Sequence, residues 1–254
     1  MRTRTLGQSD IEVPAICVGC WAIAGGELWG EQDERDAIAG MREAIDHGLN
    51  FFDTAEAYGS GASEKLLGRA LSDRRDDVII ATKASPNHHA PDDLKQACED
   101  SLRRLQTDYI DLYQLHWPNR EVPFADTWGA MQELVDEGKI RAPGVSNWGT
   151  QDLDTILETG HPEVDQVAYS LLFRAVEYEI APKCEAEDIS ILCYSPIMQG
   201  LLADKYDSPD EVPAGRARSR HFSGDRPKAR HGEDGVEELT FGTIDAIHEI
   251  ADDL

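Results

Sequence analysis

The sequence predicts an α/β fold built on a parallel sheet, a (β/α)8 barrel entered through a short N-terminal β-hairpin. Three observations predict it. Short apolar runs alternate with amphipathic helical patterns along the whole chain, the signature of a parallel sheet with crossover helices. Several runs are almost continuously apolar, as strands covered on both faces are. That alternation suits doubly wound sheets and barrels alike. The third observation separates them: the first strand is not followed by the G-x-G-x-x-G turn of a doubly wound dinucleotide fold. The nearest candidate, Gly59-Ser60-Gly61, comes after the second strand and has Glu64 where the third glycine belongs.

Each element follows from local pattern. Arg2 to Leu6 and Glu12 to Ala15 flank the turn residues GQSD and form the expected hairpin. Strands are expected at Ala15–Val18, Asn50–Phe52, Val78–Ala81, Ile110–Leu115, Ile140–Val145, Val164–Val167 and Ile189–Cys193. Between them, Ile38, Met41 and Ile45 recur at helical spacing with Gly48 as the stop. Leu94, Cys98, Leu102 and Leu105 form a second stripe, and Phe124, Trp128, Met131 and Val135 a third that ends at Gly138. These stripes are the faces that pack on the sheet. No Ser/Gly-rich linker divides the chain, so residues 1–254 are expected to form one domain.

Composition narrows the partners. The net charge is −25, from 24 basic and 49 acidic residues. Such a balance argues against nucleic acid and against an anionic membrane surface, both of which require basic patches. No segment approaches the ~18 consecutive apolar residues of a membrane span, and MRTRTLGQSD lacks the apolar core of a signal peptide. Five cysteines are expected to be reduced thiols of a cytoplasmic protein. Cys17 and Cys20 make one C-x-x-C without a second pair, and adjacent His88 and His89 have no acidic partners at ligand spacing, so no metal site is expected. The acidic residues are dispersed, and only 7 of the basic residues are Lys against 17 Arg. A halophilic protein, whose self-repulsion is screened by salt, is the expectation. Its melting temperature should rise from dilute buffer to molar salt; equal melting in both would remove the salt-adapted reading.

The chemistry lies at strand ends. Asp53 ends NFFD, Lys83 ends VIIATK and His116 ends DLYQLH, while Tyr58 lies in the loop five residues after Asp53. The C-terminal ends of barrel strands converge on one face, where active sites are built. Reduction of a carbonyl by hydride requires a proton for its oxygen. Tyrosine is a weak acid with an ordinary pKa near ~10, and a neighbouring lysine cation eases release of its proton. Asp53 can hold that ammonium, and His116 can donate a hydrogen bond that orients the carbonyl.

At this point the sequence resembles the aldo-keto reductase family. NFFDTAEAYGSGASEKLLGRAL is similar to the family signature, VIIATK to its Lys-bearing strand and DLYQLHWP to its His-bearing strand. GKIRAPGVSN and CYSPIMQGLL resemble two cofactor-binding segments, and the likeness runs along the whole chain. The resemblance implies a barrel of that family's type and a reductase of a small aldehyde or ketone that uses NADP, with NAD as the alternative. It implies Asp53, Tyr58, Lys83 and His116 as the catalytic group, with Tyr58 the proton donor. Ser146, Asn147 and Gln166 would hold the nicotinamide carboxamide, and Tyr194 would stack on its ring. Ser195, Gly200 and Leu201 would pass the pyrophosphate, and Gly19, Cys20 and Trp21 would lie in the first loop beside cofactor and substrate. Asp53 also borders the cofactor; Trp29, Tyr58 and His116 would face the substrate. A cofactor-binding regulatory subunit and an inactive fragment are the alternatives.

Three features depart from the family pattern or stand outside it. Pro143 replaces an aliphatic residue in GKIRAPGVSN; it must sit where its missing N–H faces no partner, or it weakens the approach to Ser146 and Asn147. Val236 to Leu254 resembles the seventh helix, so the eighth strand and helix, with the contacts that separate NAD from NADP, are expected to be missing and the barrel to have two open edges. Ala203 to Gly235 forms a long loop carrying Arg216, Arg218, Arg220, Arg226 and Arg230, expected to be solvated.

Overall fold

The computed structural model describes residues 1–26 and 29–253. They form two compact units, residues 1–167 with 177–192, and residues 168–176 with 193–254.

In the first unit, β1 (Thr3–Thr5) and β2 (Glu12–Pro14) pair antiparallel, with Thr3 opposite Pro14 and Thr5 opposite Glu12. A seven-stranded sheet follows in unbroken chain order: β3 (Val18–Gly19), β4 (Phe51–Asp53), β5 (Ile79–Ala84), β6 (Ile110–Leu115), β7 (Ile140–Ser146), β8 (Val164–Ala168) and β9 (Ser190–Tyr194). The registers from β3 to β8 are parallel throughout. The crossovers carry α1 (Glu34–Asp46), α2 (Ala62–Leu71), α3 (Pro91–Leu105), α4 (Phe124–Asp136), α5 (Thr150–Leu157) and α6 (Ile180–Ala186). The three predicted apolar stripes are the buried faces of α1, α3 and α4.

The first strand departs from expectation. The chain leaves the hairpin at Pro14 and bends through Ala15 and Ile16, and Ile16 is 59% exposed. Only Val18 and Gly19 join the sheet, opposite Phe52 and Asp53. Pairing, not the apolar run at Ala15–Val18, sets the boundary. At the other end, β9 is mostly half-buried, and its Cys193 is exposed.

The sheet has two differently filled faces. Helices cover one of them with a core that includes Leu67, Leu94, Tyr113, Met131 and Leu153. The other face holds Phe51, Ala81, Leu112, Ala142 and Val164, plugged from below by hairpin residues Leu6, Ile11 and Val13. Side chains alternate between faces with period two, so two residues further along these strands the same face presents Asp53, Lys83, Gln114, Gly144 and Gln166. The polar layer therefore sits directly above an apolar one.

Pro143 lies inside β7, opposite Tyr113 of β6. Its carbonyl accepts from the Glu163 N–H at 2.9 Å, and β7–β8 pairing runs from Val145 opposite Asp165 onward. The donor that proline lacks would point ahead of the β8 ladder, so the approach to Ser146 stays intact.

Helix packing in this unit depends on one close approach. A Cβ on Gly68 of α2 would meet the Leu105 carbonyl carbon and oxygen at 2.6 Å. Those are backbone atoms that cannot rotate away. Gly68→Ala is therefore expected to destabilise the protein by ~1–3 kcal/mol through overpacking, despite alanine's better helix propensity. Thermal melting checks this; an unchanged or raised melting temperature would contradict it.

The second unit has its own small core of Leu201, Val212, Ala217, Phe222 and Ile244, joined by Leu172, Tyr206 and Phe241. Its helix, α7 (Glu237–Asp252), supplies Ile244. The segment expected as a solvated loop is partly structured. Arg216 donates to the Tyr206 hydroxyl at 2.7 Å, and Arg226 pairs with Glu237 at 2.5 Å and lies over the Phe222 ring. Among the described residues no helix is long and apolar enough to cross a membrane.

Candidate active site

Lys83 is the fixed point of the polar layer. Its side chain is wholly buried, and its Nζ donates to both Asp53 carboxylate oxygens, at 2.8 and 2.7 Å. It donates also to the Thr54 carbonyl at 2.7 Å and lies 3.3 Å from the Tyr58 hydroxyl. Gln166 Nε2 donates to Asp53 Oδ1 from the other side at 2.8 Å. Burying an ammonium without partners is prohibitively costly; here every ammonium proton has an acceptor.

Tyr58 is held through its ring. Trp21 stacks on it with centroids 5.6 Å apart, and the His116 ring meets it edge-on at 5.8 Å. Trp29 packs edge-on against Trp21 at 5.4 Å. The first loop is tied to the same group: Gly19 pairs with Asp53, and the Cys20 N–H donates to the Asp53 carbonyl at 2.8 Å. The structure thus brings together Asp53, Tyr58, Lys83, His116, Gly19, Cys20, Trp21, Trp29 and Gln166.

Ser146 and Asn147 close one side. The Ser146 hydroxyl and the Asn147 N–H both donate to the Gln166 carbonyl, at 2.9 Å each. Asn147 Nδ2 donates to the His116 carbonyl at 3.1 Å and to Ser146 Oγ at 3.0 Å. Asn147 holds φ of 64°, a left-handed conformation that asparagine tolerates better than most residues.

Tyr194, Ser195, Gly200 and Leu201 belong to the second unit. Tyr194 is half-buried, and its carbonyl accepts from the Tyr169 N–H at 3.3 Å. The turn after it is tightly wound, with Ser195, Met198, Gln199 and Gly200 all at positive φ. The Gly200 and Leu201 N–H groups donate within the turn, to Ile197 and Met198.

Ionisation follows from burial and from Lys83. Burial pushes the Tyr58 phenol above its ordinary value, and the Lys83 ammonium, pulling the other way, does not cancel it. The expected easing by lysine is therefore present but outweighed, and the hydroxyl keeps its proton at neutral pH. Burial lowers His116 to about 4, helped by repulsion from Lys83, so its imidazole is neutral. For Lys83 burial favours the neutral amine, but the attractions of Asp53 and Tyr58 prevail and the ammonium lies above its usual range.

Several supporting groups escaped the sequence reading. Glu64 of α2 is fully buried, accepting from Thr82 Oγ1 at 2.6 Å and Arg104 Nε at 2.5 Å. Glu56 accepts from the Ser85 N–H and pairs with His88 at 2.8 Å, tying the Tyr58 loop to the strand end that bears Lys83. Gln114 lies in the polar layer between Lys83 and Gly144, fully buried, with neither amide atom hydrogen-bonded among the described residues. Cys17 and Cys20 are free thiols in different apolar clusters, one on each face of the sheet. Among the described residues no three His, Cys, Asp or Glu side chains gather as a metal site requires.

Comparison with known proteins shows the family. The chain belongs to the aldo/keto reductase family, whose pattern matches residues 15–253. It is 40% identical over 215 residues to the aldo-keto reductase YhdN of Bacillus subtilis, a match that covers 81% of this chain and 65% of that protein. It is 35% identical over 238 residues to the NADH-specific methylglyoxal reductase of Escherichia coli, covering 85% of this chain and 73% of that protein. The structure of an aldo-keto reductase from Klebsiella pneumoniae in complex with NADPH superposes with a TM-score of 0.73 at 32% identity, covering 98% of this chain and 90% of the other.

Proposed function

We propose that the protein reduces a small aldehyde or ketone to an alcohol with a nicotinamide cofactor as hydride donor, and that Tyr58 gives the proton. The observation that carries this is the Tyr58 hydroxyl, 3.3 Å from a wholly buried Lys83 ammonium that both Asp53 oxygens hold.

Each residue has a physical task. As negative charge develops on the carbonyl oxygen, the phenol releases its proton toward it, and Lys83 stabilises the phenolate left behind. Asp53 and the Thr54 carbonyl fix the ammonium so that it need not reorganise during the step. His116, neutral, donates a hydrogen bond to the same oxygen without competing as an acid. Trp21 stacks on Tyr58 and Trp29 packs against Trp21, and the two would supply apolar walls for a small substrate.

The side chains beside this group fit a nicotinamide. Ser146, Asn147 and Gln166 bring hydroxyl and amide groups to one side, which suits a carboxamide that both donates and accepts. Gly19, Cys20 and Trp21 would border the nicotinamide end, and family resemblance alone gives the ring stack to Tyr194 and the pyrophosphate turn to Ser195, Gly200 and Leu201. The cofactor, when bound, supplies the hydride. NADPH is the favoured form, as bound by the Klebsiella relative, and NADH the alternative, given the Escherichia coli relative's NADH specificity. Small reactive carbonyls such as methylglyoxal are the substrates to try first.

The test is calorimetric binding of NADPH and NADH followed by turnover on a panel of small aldehydes, ketones and dicarbonyls. Binding with turnover supports the proposal. Tight binding without turnover on any member would favour a cofactor-holding regulatory protein.

A further inference from the structure

Asp165 is a carboxylic acid at the second position of β8, between Val164 and Gln166, and its side chain is completely buried. Alternation along the strand puts Gln166 on the site face and Asp165 on the helix face. Nothing in the chemistry of hydride transfer uses it. Its Oδ1 accepts the Trp148 N–H at 3.4 Å, and its Oδ2 has no partner among the described residues. An acid in such a place costs free energy that a valine would not, so its presence calls for a compensating task.

The task is visible in what Trp148 terminates. At the end of β7 the chain passes through Ser146 and then Asn147, whose left-handed backbone turns it out of the sheet. Two bonds to the Gln166 carbonyl tie Ser146 and Asn147 to β8. The Asp165 bond is the next tie along, at the residue after the turn. Trp148 is itself buried and packs on Phe124 of α4 with ring centroids 4.5 Å apart. The turn that aims Asn147 is thus clamped at three consecutive residues, twice by the Gln166 backbone and once by the Asp165 side chain. Burial raises the Asp165 acid to about 7, and its ionisable neighbour on α6 is the Cys184 thiol, which is pushed up to about 12.

We propose that Asp165 is a positioning residue for cofactor binding, setting the Ser146–Asn147 turn through the Trp148 amide; the claim rests on the proposed function. It touches neither cofactor nor substrate. A left-handed asparagine released from its following residue can relax, and its amide then leaves the geometry a carboxamide needs.

Calorimetric titration with NADPH, and with NADH, separates the possibilities. Asp165→Asn keeps an acceptor oxygen at the same place and is expected to bind within about twofold of the wild type. Asp165→Val keeps the volume but leaves the Trp148 amide unsatisfied, and is expected to raise the dissociation constant about tenfold. Its kcat at saturating cofactor should stay within about threefold, because Tyr58, Lys83 and Asp53 are untouched. If Asp165→Val does not fold, Asp165→Ser, whose shorter hydroxyl falls short of the amide, carries the same expectation. A folded Val or Ser variant that binds as the wild type does would overturn the inference alone, as would an Asn variant no better than Val. Wild-type protein that binds neither cofactor would overturn the proposed function and the inference with it.

Discussion

Tyr58→Phe is expected to lower kcat/KM by roughly two to four orders of magnitude while leaving NADPH affinity within about twofold, the range for removing a positioned general acid. The substitution removes one oxygen and little else. The ring keeps its stack on Trp21 and its edge contact with His116. Lys83 keeps three acceptors, two on Asp53 and one on Thr54, so the ammonium remains satisfied. The loss must then be read as loss of the proton. The pH profile sharpens the test. Burial holds the Tyr58 phenol above its ordinary value, so wild-type kcat/KM should fall on the alkaline side only above pH ~10. His116 at about 4 adds no acidic limb between pH 5 and 7. The residual rate of the Phe variant should lose the alkaline limb. Reduction at near wild-type rate by Tyr58→Phe would sink the assignment of Tyr58 as the donor.

What was legible in the sequence was what periodicity and strand ends encode. Five of the seven sheet strands lie within one residue of the expected runs, because a continuous apolar run has one use in this fold, a strand covered on both faces; β5 runs three residues past its expected end, through Thr82 and Lys83 to Ala84. The first strand moved because Ile16 and Cys17 look like core while the hairpin geometry turns the chain there. Asp53, Lys83 and His116 stood out because each ends such a run and the strands are parallel neighbours. Charge and amide groups that work from inside the packing were not legible. Glu64 sits in a helix where a glutamate ordinarily faces water, and only the tertiary contact with Thr82 and Arg104 shows it buried. Gln114 reads as one polar residue in an apolar strand, and nothing local says that it joins the Lys83 layer. Asp165 did carry a signal, an acid inside the run VDQVA. The pull of Lys83 on the Tyr58 proton was legible because lysine proximity can be inferred from strand order; the burial that outweighs it was not.

Asp53→Ala is expected to destabilise the protein by ~3–5 kcal/mol, the cost of leaving one member of a buried pair without its partner. Lys83 has no exposed surface, whereas Asp53 retains 13%, so the ammonium is the charge that suffers. With Asp53 gone, the Thr54 carbonyl and the Tyr58 hydroxyl remain as acceptors, but no charge offsets the desolvation. The amine answers by giving up its proton more readily. In the wild type its folded pKa is raised above the ordinary value, so the pair's contribution is fully present below pH ~10.5 and is lost as pH rises through the folded value. In Asp53→Ala that order reverses: the folded pKa drops, and stability is lost as pH falls through the window between the depressed value and the ordinary one. The double variant Asp53→Ala/Lys83→Met removes both charges and should recover most of the loss while remaining without activity. Denaturant melts of the two variants across pH measure this directly. A single variant within about 1 kcal/mol of wild type would show that solvent reaches the ammonium and that the pair is not a buried one.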